Sequence, residues 1–344
     1  MAGNEAPPFW YREPGLQARL LAPLAWGYGR LALRRMDRAR PSAVAAPVLC
    51  VGNLTVGGTG KTPTALAIAE AVSARGLRPG FVSRGYGGTH ARTHIVDAEN
   101  DIARSVGDEA LLLARAAPTA IGADRARSAR ALIDAGANFI IMDDGFQSRS
   151  VHIDHALITI DARRGIGNGR VIPAGPLRAP LRDQMRLADQ VICIGEGAAA
   201  GRAVRVAAQA AKPILHAALV PQKPKGLRHK RVLAYCGIGD PNKFFSSVEE
   251  LGLRIIARRS FGDHHMFTEQ DARSLLAAAE DDRLGLVTTH KDQVRLSYSE
   301  GPLAELRALS HAVPVRLVFE SAASLAAIID ATLAGYRERR VNGR

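Results

Sequence analysis

The run Val51-Gly52-Asn53-Leu54-Thr55-Val56-Gly57-Gly58-Thr59-Gly60-Lys61-Thr62-Pro63 has the residue types and spacing to hold a phosphorylated nucleotide. Residues 46–50 before it are apolar and read as a buried strand, and 64–75 after it read as a helix. A strand, a glycine-rich turn and Gly-Lys-Thr opening a helix are the context of a phosphate-binding loop. Glycines let successive backbone N–H groups converge on phosphate oxygens with no Cβ in the way. The expected cradle for ATP is Thr55, Val56, Gly57, Gly58, Thr59, Gly60, Lys61 and Thr62. Lys61 supplies a point charge for the β- and γ-phosphates, Thr62 a hydroxyl for Mg²⁺, and the helix N-terminus a positive dipole end. The alternative is a glycine-rich turn with an incidental lysine, and the flanking strand and helix weigh against it.

A second run, Phe139-Ile140-Ile141-Met142-Asp143-Asp144-Gly145-Phe146-Gln147, ends an apolar strand in two carboxylates. Mg²⁺ opposite Thr62 needs a hard oxygen ligand or an anchored water, and Asp143 or Asp144 can give it. Two adjacent acids idle at a strand end would be costly in a core. Ser83-Arg84-Gly85-Tyr86-Gly87-Gly88 follows another strand at the end where ligands gather in open α/β sheets. Arg84 there reads as a phosphate contact or as a solvated loop residue. In Gly107-Asp108-Glu109, Asp108 reads first as a helix N-cap and Glu109 as a first-turn acid, both suited to the dipole. Phe261-Gly262-Asp263-His264-His265-Met266-Phe267 sets two histidines in a loop. Adjacent histidines point apart and lack metal-ligand spacing, so zinc is not expected, whereas a histidine near an acid can relay a proton. His152 and His155 lie on strand-like sequence and read as structural.

The elements that must position these residues alternate. Strands are expected at Pro79–Ser83, 94–97, Thr119–Ile121, 139–142, His155–Asp161 and Gln190–Ile194, with helices at 107–116 and 124–135. Such alternation implies a mainly parallel sheet covered on both faces. Residues 162–181 form a Gly/Pro/Arg-rich stretch, long enough for a functional loop. A basic, proline-containing linker is expected at 221–230. A second α/β unit follows, with strands Arg231–Cys236, 254–257 and Gly285–Thr289. A last strand at 314–319 and a helix at 321–335 end the chain. With 344 residues the chain has room for two domains.

Composition narrows the partners. The chain has 46 basic against 33 acidic residues, a surplus of +13 that favours an acidic partner: nucleic acid, an anionic membrane or a phosphorylated substrate. Nucleic acid is not expected, because no helix-turn-helix, zinc or RNA-binding signature appears and aromatics are sparse. Cys50, Cys193 and Cys236 each sit in or beside apolar runs, which favours reduced thiols and a cytoplasmic location. Near the N-terminus, Phe9, Trp10, Leu16, Leu20, Leu24, Trp26 and Leu31 interleave with arginines. The longest uncharged stretch there, 20–29, is far short of the roughly 20 apolar residues a bilayer span needs. The segment suits a helix lying in the headgroup region, with Pro23 a kink or a start; a helix packed on the protein's own core is the alternative. The basic surplus favours membrane contact.

Taken in order, Gly-Asn-Leu-Thr-Val-Gly-Gly-Thr-Gly-Lys-Thr-Pro, Ser-Arg-Gly-Tyr-Gly, Gly-Asp-Glu, Asp-Asp-Gly-Phe-Gln, Pro-Ala-Gly-Pro-Leu-Arg and Phe-x-Asp-His-His resemble the tetraacyldisaccharide 4′-kinase family. Thr289-His290-Lys291-Asp292-Gln293-Val294-Arg295 resembles its Thr-x-Lys-Asp-x-Val segment. The resemblance implies a P-loop NTPase-like α/β/α sandwich with a second, smaller α/β/α domain. The divisions expected are an N-terminal membrane-contacting segment at 1–40, a kinase domain at 41–220, a smaller domain at 221–313, and a strand and helix at 314–344. It implies transfer of the γ-phosphate of ATP, with Mg²⁺, to the 4′-hydroxyl of tetraacyldisaccharide 1-phosphate, forming lipid IVA in lipid A biosynthesis. The implied location is the cytoplasmic face of the inner membrane, with an anionic glycolipid substrate and no obligate protein partner.

By position, the resemblance makes Asp108 the catalytic aspartate, against its reading as a cap, and His264 its dyad partner. Lys61 joins them at the reacting phosphate, Asp143 and Asp144 fall near Mg²⁺, and Arg84, Tyr86, Gln147 and Arg178 become the expected substrate contacts. Two positions depart from the family: Ala179 stands where it has glutamate, and Ser148 where it has histidine. A rival is a membrane-associated nucleotide-switch ATPase that recruits a protein partner, since such switches carry paired glycines in this loop. The lysine that precedes those glycines is Val56 here.

Overall fold

Apolar runs with no polar alternation need cover on both faces, and the strands of this chain receive it in two sheets. The computed structural model describes residues 6–90, 92–228, 230–297 and 300–343. In chain order the strands are β1 Val48–Asn53, β2 Pro79–Ser83, β3 His94–Ile95, β4 Thr119–Ile121, β5 Phe139–Asp143, β6 His155–Asp161 and β7 Gln190–Ile194. They continue as β8 Ile214–Pro221, β9 Arg231–Cys236, β10 Arg254–Ser260, β11 Gly285–Thr289, β12 Ser310–Val313 and β13 Val315–Phe319. The larger sheet runs β13-β8-β7-β6-β1-β5-β2-β4-β3, and the smaller β10-β9-β11-β12. All pairs are parallel except β13 with β8 and β3 with β4, at the two edges of the larger sheet.

One face of the larger sheet packs on the helices Lys61–Ala74 and Ala323–Val341 through Ile68, Val72, Ile328 and Ile329. The other packs on the helices Arg125–Asp134, Leu181–Leu187 and Gly201–Gln209 through Leu132, Met185 and Ala203. The smaller sheet has its own apolar layer on each face, one built on Phe244 and Val248, the other on Leu275 and Leu306. Both units are therefore three-layered.

Several expectations change. The expected linker begins one residue too early, because β8 ends at Pro221, which pairs with Val315 of β13. The helix expected at 321–335 runs Ala323–Val341. His152 precedes β6 instead of lying on a strand, although its N–H donates to Ser42 O at 3.0 Å. Of the two readings of Pro23, the start holds: it lies in the first turn of the helix Ala22–Arg38. That helix buries only a narrow stripe, Ala25, Gly29 and Met36, with Gly29 against Val171 and Pro180. Leu16, Leu20, Leu24 and Trp26 on and just before it are each more than 60% exposed. No helix among the described residues is long and apolar enough to cross a membrane. All three cysteines are free and buried.

Candidate active site

The phosphate loop leaves β1 at Asn53 and ends at Gly60, whose φ of 87° turns the chain into the helix Lys61–Ala74. That left-handed conformation is cheap only for glycine, and a Cβ there would lie 2.7 Å from Ile194 Cδ1. Asn53 Nδ2 donates to Gly57 O at 3.1 Å, and the hydroxyls of Thr59 and Thr159 bond at 2.7 Å, tying the loop to β6. Gly57 and Gly58 are exposed, and a Cβ on either would meet nothing within 4 Å, so their backbone faces open space. Thr55 stands where an early glycine is usual because it is bridged to Leu177 in extended pairing, which needs no positive φ. Val56 N–H donates to Pro176 O at 2.9 Å.

β5 carries its acids to the same end, since Val51 and Asp143 are register partners. Asp143 is buried; its Oδ2 accepts from the Thr62 hydroxyl at 3.5 Å, while its Oδ1 has no hydrogen-bond partner. Burial first, and the charge of Glu109 next, push its pKa up to about 7 against the pull of Lys61. A pair of buried, hard oxygens with one orphaned suits a divalent cation, so the residues present fit Mg²⁺. Asp144, at φ 57°, takes both prongs of Arg178 at 3.1 Å and lies 3.9 Å from Lys61 Nζ. Burial opposes its ionisation, but Lys61 and Arg178 outweigh it and hold the pKa below the usual range.

The raised Asp143 has a measurable consequence in ligand-free protein. A carboxyl whose folded pKa lies above its unfolded value loses stability as pH rises from about 4 to about 7. Asp143→Asn removes that penalty. Its unfolding free energy relative to wild type is expected to rise by on the order of 2 kcal/mol between pH 5 and 8. Thermal melts of the two proteins across that range check it; a constant offset contradicts it.

Arg178 and Gln147 brace the loop. Arg178 Nε donates to Thr55 O at 3.1 Å, and Gln147 Nε2 donates to Asn53 O at 2.7 Å. Ser148 accepts from Arg125 at 2.8 Å, and the same arginine reaches Asp144 O at 2.9 Å. Ala179 is fully buried, its carbonyl accepting from Gln184 Nε2 at 2.6 Å. Arg84 and Tyr86 are exposed in the loop after β2.

The second half of the site spans the two sheets. Asp108 is the first residue of the helix Asp108–Ala114; the N-cap is Gly107, so the capping expectation for Asp108 is corrected. Gly107, at φ 90°, packs where a Cβ would fall 2.5 Å from Tyr86 O, which sets the helix start against the loop after β2. The buried Asp108 carboxylate meets His264 Nδ1 at 3.2 Å and Arg295 Nε at 2.9 Å, with Arg295 Nη2 on the same oxygen. Beside it Lys291 Nζ pairs with Glu109. Burial alone would raise the Asp108 pKa, but the His264 hydrogen bond and the charges of Arg295 and Lys291 hold it well below the usual range. The same hydrogen bond raises the pKa of His264 against partial burial. His265 Nε2 lies 2.9 Å from Asp271 Oδ2. The family resemblance paired Asp108 with His264, but sequence reasoning missed the parts played by Glu109, Lys291, Arg295 and Arg125. The Thr-x-Lys-Asp-x-Val segment, with the arginine that follows it, was the available signal for Lys291 and Arg295.

A family model described as "Tetraacyldisaccharide-1-P 4'-kinase" matches residues 17–334. The chain belongs to this family. A relative named tetraacyldisaccharide 4′-kinase from Chelativorans sp. (strain BNC1) is 51% identical over 339 residues, covering 98% of this chain and 99% of that one. One of the same name from Brucella melitensis biotype 2 is 50% identical over 336 residues, covering 98% of each. The fold is shared with the solved "apo" LpxK of Aquifex aeolicus, a structure in complex with ATP. The TM-score is 0.70 at 24% identity, over 92% of this chain and 99% of that one. The phosphate loop, the Asp143–Asp144 pair and the Asp108–His264 contact stand at one end of the larger sheet.

Proposed function

We propose that the chain transfers the γ-phosphate of ATP to the 4′-hydroxyl of tetraacyldisaccharide 1-phosphate, making lipid IVA for lipid A. The observation that carries this reading is the Asp108–His264 contact, which joins the smaller unit to the helix N-terminus beside the phosphate loop. The loop N–H groups and Lys61 hold the donor phosphates in line with the acceptor, so catalysis is mainly positioning and charge compensation. Thr62, Asp143 and Asp144 are the residues that would hold Mg²⁺, whose charge offsets that of the transferring phosphoryl group when bound. Asp143 and Asp144 are the carboxylates nearest Thr62 and Lys61, and with alanine at 179 they serve without a third acid. The Asp108–His264 pair accepts the hydroxyl proton as the phosphorus–oxygen bond forms. Arg84 and Tyr86 are exposed in the loop after β2, with the Tyr86 ring 5.7 Å from that of His264, and are proposed to meet the sugar. Gln147 and Arg178 are proposed to act on substrate indirectly, by bracing the loop.

The exposed face of Leu16, Leu20, Leu24 and Trp26, flanked by arginines, is proposed to rest on the cytoplasmic leaflet that presents the lipid. Leu24→Ser combined with Trp26→Ser is expected to weaken binding to anionic vesicles about tenfold with the melting temperature nearly unchanged, because both side chains are largely exposed. Unchanged vesicle sedimentation would contradict a membrane role for this face. The assignment itself is tested with labelled ATP, Mg²⁺ and the disaccharide lipid. Phosphorylated lipid is expected. Partner-stimulated ATP hydrolysis with no lipid product would favour the switch.

A further inference from the structure

Between β2 and the helix Asp108–Ala114 the chain brings together three side chains that the phosphoryl-transfer site does not use. His90 is exposed, while His94, on β3, and Asp101, just before the helix Ala103–Val106, are partly buried. His94 Nε2 is 2.6 Å from Asp101 Oδ2, and the His90 and His94 rings stack in near-parallel planes with centroids 4.6 Å apart. One nitrogen of each histidine and one Asp101 oxygen all lie within 4.8 Å of one another. The backbone fixes each of the three. His94 is paired with Ile121 of β4. The turn carrying Asp101 is closed by Asp101 N–H donating to Asp97 O and Asp97 N–H donating to Asp101 Oδ2, both at 2.9 Å. The N–H groups of Thr89 and His90 donate to Ser105 O, at 2.9 and 3.3 Å.

We propose that His90, His94 and Asp101 form a binding site for one divalent first-row transition ion, with Zn²⁺ as the expected occupant. Two imidazole nitrogens and a carboxylate oxygen are a zinc donor set, with the fourth position left to water. Mg²⁺ prefers oxygen donors throughout, so the ion of phosphoryl transfer does not compete here. A tetrahedral ion with bonds of about 2.0–2.2 Å spaces its donors by about 3.3–3.6 Å. The His94–Asp101 contact therefore opens by about 1 Å and the wider pairs close by at most about 1.5 Å, within the reach of side-chain rotation. A hydrogen-bonded His94–Asp101 pair is enough to clasp the loop. A second imidazole set beside it on an exposed residue is what an ion requires and a clasp does not. Bound Zn²⁺ ties residues 90–101 together, and through Ser105 the brace reaches the short helix that leads into Gly107. Gly107 in turn packs against Tyr86 O, so the ion steadies the loop that carries Tyr86 without touching the reacting groups.

Calorimetric titration of the metal-stripped protein with ZnCl₂ tests this, at about pH 7.5, where imidazole is neutral, and with excess Mg²⁺ to fill oxygen-donor sites. One Zn²⁺ per chain is expected to bind at this site. Even partners that only support a metal ligand are worth about 10–100-fold in affinity, so His90→Ala and Asp101→Asn should each weaken binding at least about tenfold. The His90 side chain is exposed, and His90→Ala without zinc should melt within about 2 °C of zinc-free wild type, which separates lost coordination from misfolding. Zinc should also raise the melting temperature of wild type and slow amide hydrogen exchange across residues 89–101, and do neither in His90→Ala. Equal zinc affinity in wild type and in the His90→Ala/Asp101→Asn double variant would place the ion elsewhere among the ten histidines and overturn the proposal. No zinc binding by wild type, or no zinc-dependent protection of this loop, would overturn it as well.

Discussion

Asp108→Asn is expected to lower kcat by about a thousandfold while the dissociation constant for ATP stays within about threefold. Asparagine is preferred to alanine because Arg295 is buried against this side chain, and removing one partner of a buried pair costs about 3–5 kcal/mol. His264→Ala should cost about as much as Asp108→Asn. The residues share one hydrogen bond, so the double variant should be at most about tenfold worse than either single. Steady-state kinetics on the three proteins decide it. Losses that multiply would mean that the two side chains act independently and that their contact across the domains is incidental to catalysis.

Lys61→Ala is the second large effect. Its ammonium stands 3.9 Å from Asp144 at the start of the helix that closes the phosphate loop. The in-line transfer loads negative charge onto the oxygens this cation faces, so kcat/KM for ATP should fall by about 10²–10³. Stability should hardly change, since Asp144 keeps both prongs of Arg178 after Lys61 is removed. A melting temperature within about 2 °C of wild type, together with that kinetic loss, is the expected pair of results. A protein that binds and turns over ATP normally would remove Lys61 from the donor site.

The large parallel sheet and its phosphate loop were legible because their signals are local. A fully buried strand reads as an unbroken apolar run, and β1, β5 and β6 are buried along their whole length. β8 was missed for the opposite reason. It alternates half-buried and exposed positions beside the edge strand β13, and its terminal proline reads as the start of a linker. Asp108 shows the limit most clearly. From sequence it is one residue from a helix start and so a natural cap, yet its side chain turns to His264 and to Arg295, 187 residues away. No periodicity encodes that meeting, because it depends on how the second sheet docks on the first. Family resemblance supplied the Asp108–His264 pairing; the Arg295 guanidinium on the Asp108 carboxylate became visible only when the two units were seen together. The same docking explains the Glu109–Lys291 pair, two residues with no reason to meet in sequence.

The central claim is that the phosphate loop and the interdomain pair work on one lipid hydroxyl. It is tested most directly by incubating the 344-residue protein with γ-labelled ATP, Mg²⁺ and tetraacyldisaccharide 1-phosphate in mixed micelles, beside Asp108→Asn, and locating the transferred phosphate by mass spectrometry of the product. The predicted result is one label per lipid, on the 4′ oxygen, formed by wild type and nearly absent with the variant. Label released as inorganic phosphate, with the lipid unchanged and the variant equally active, would contradict it.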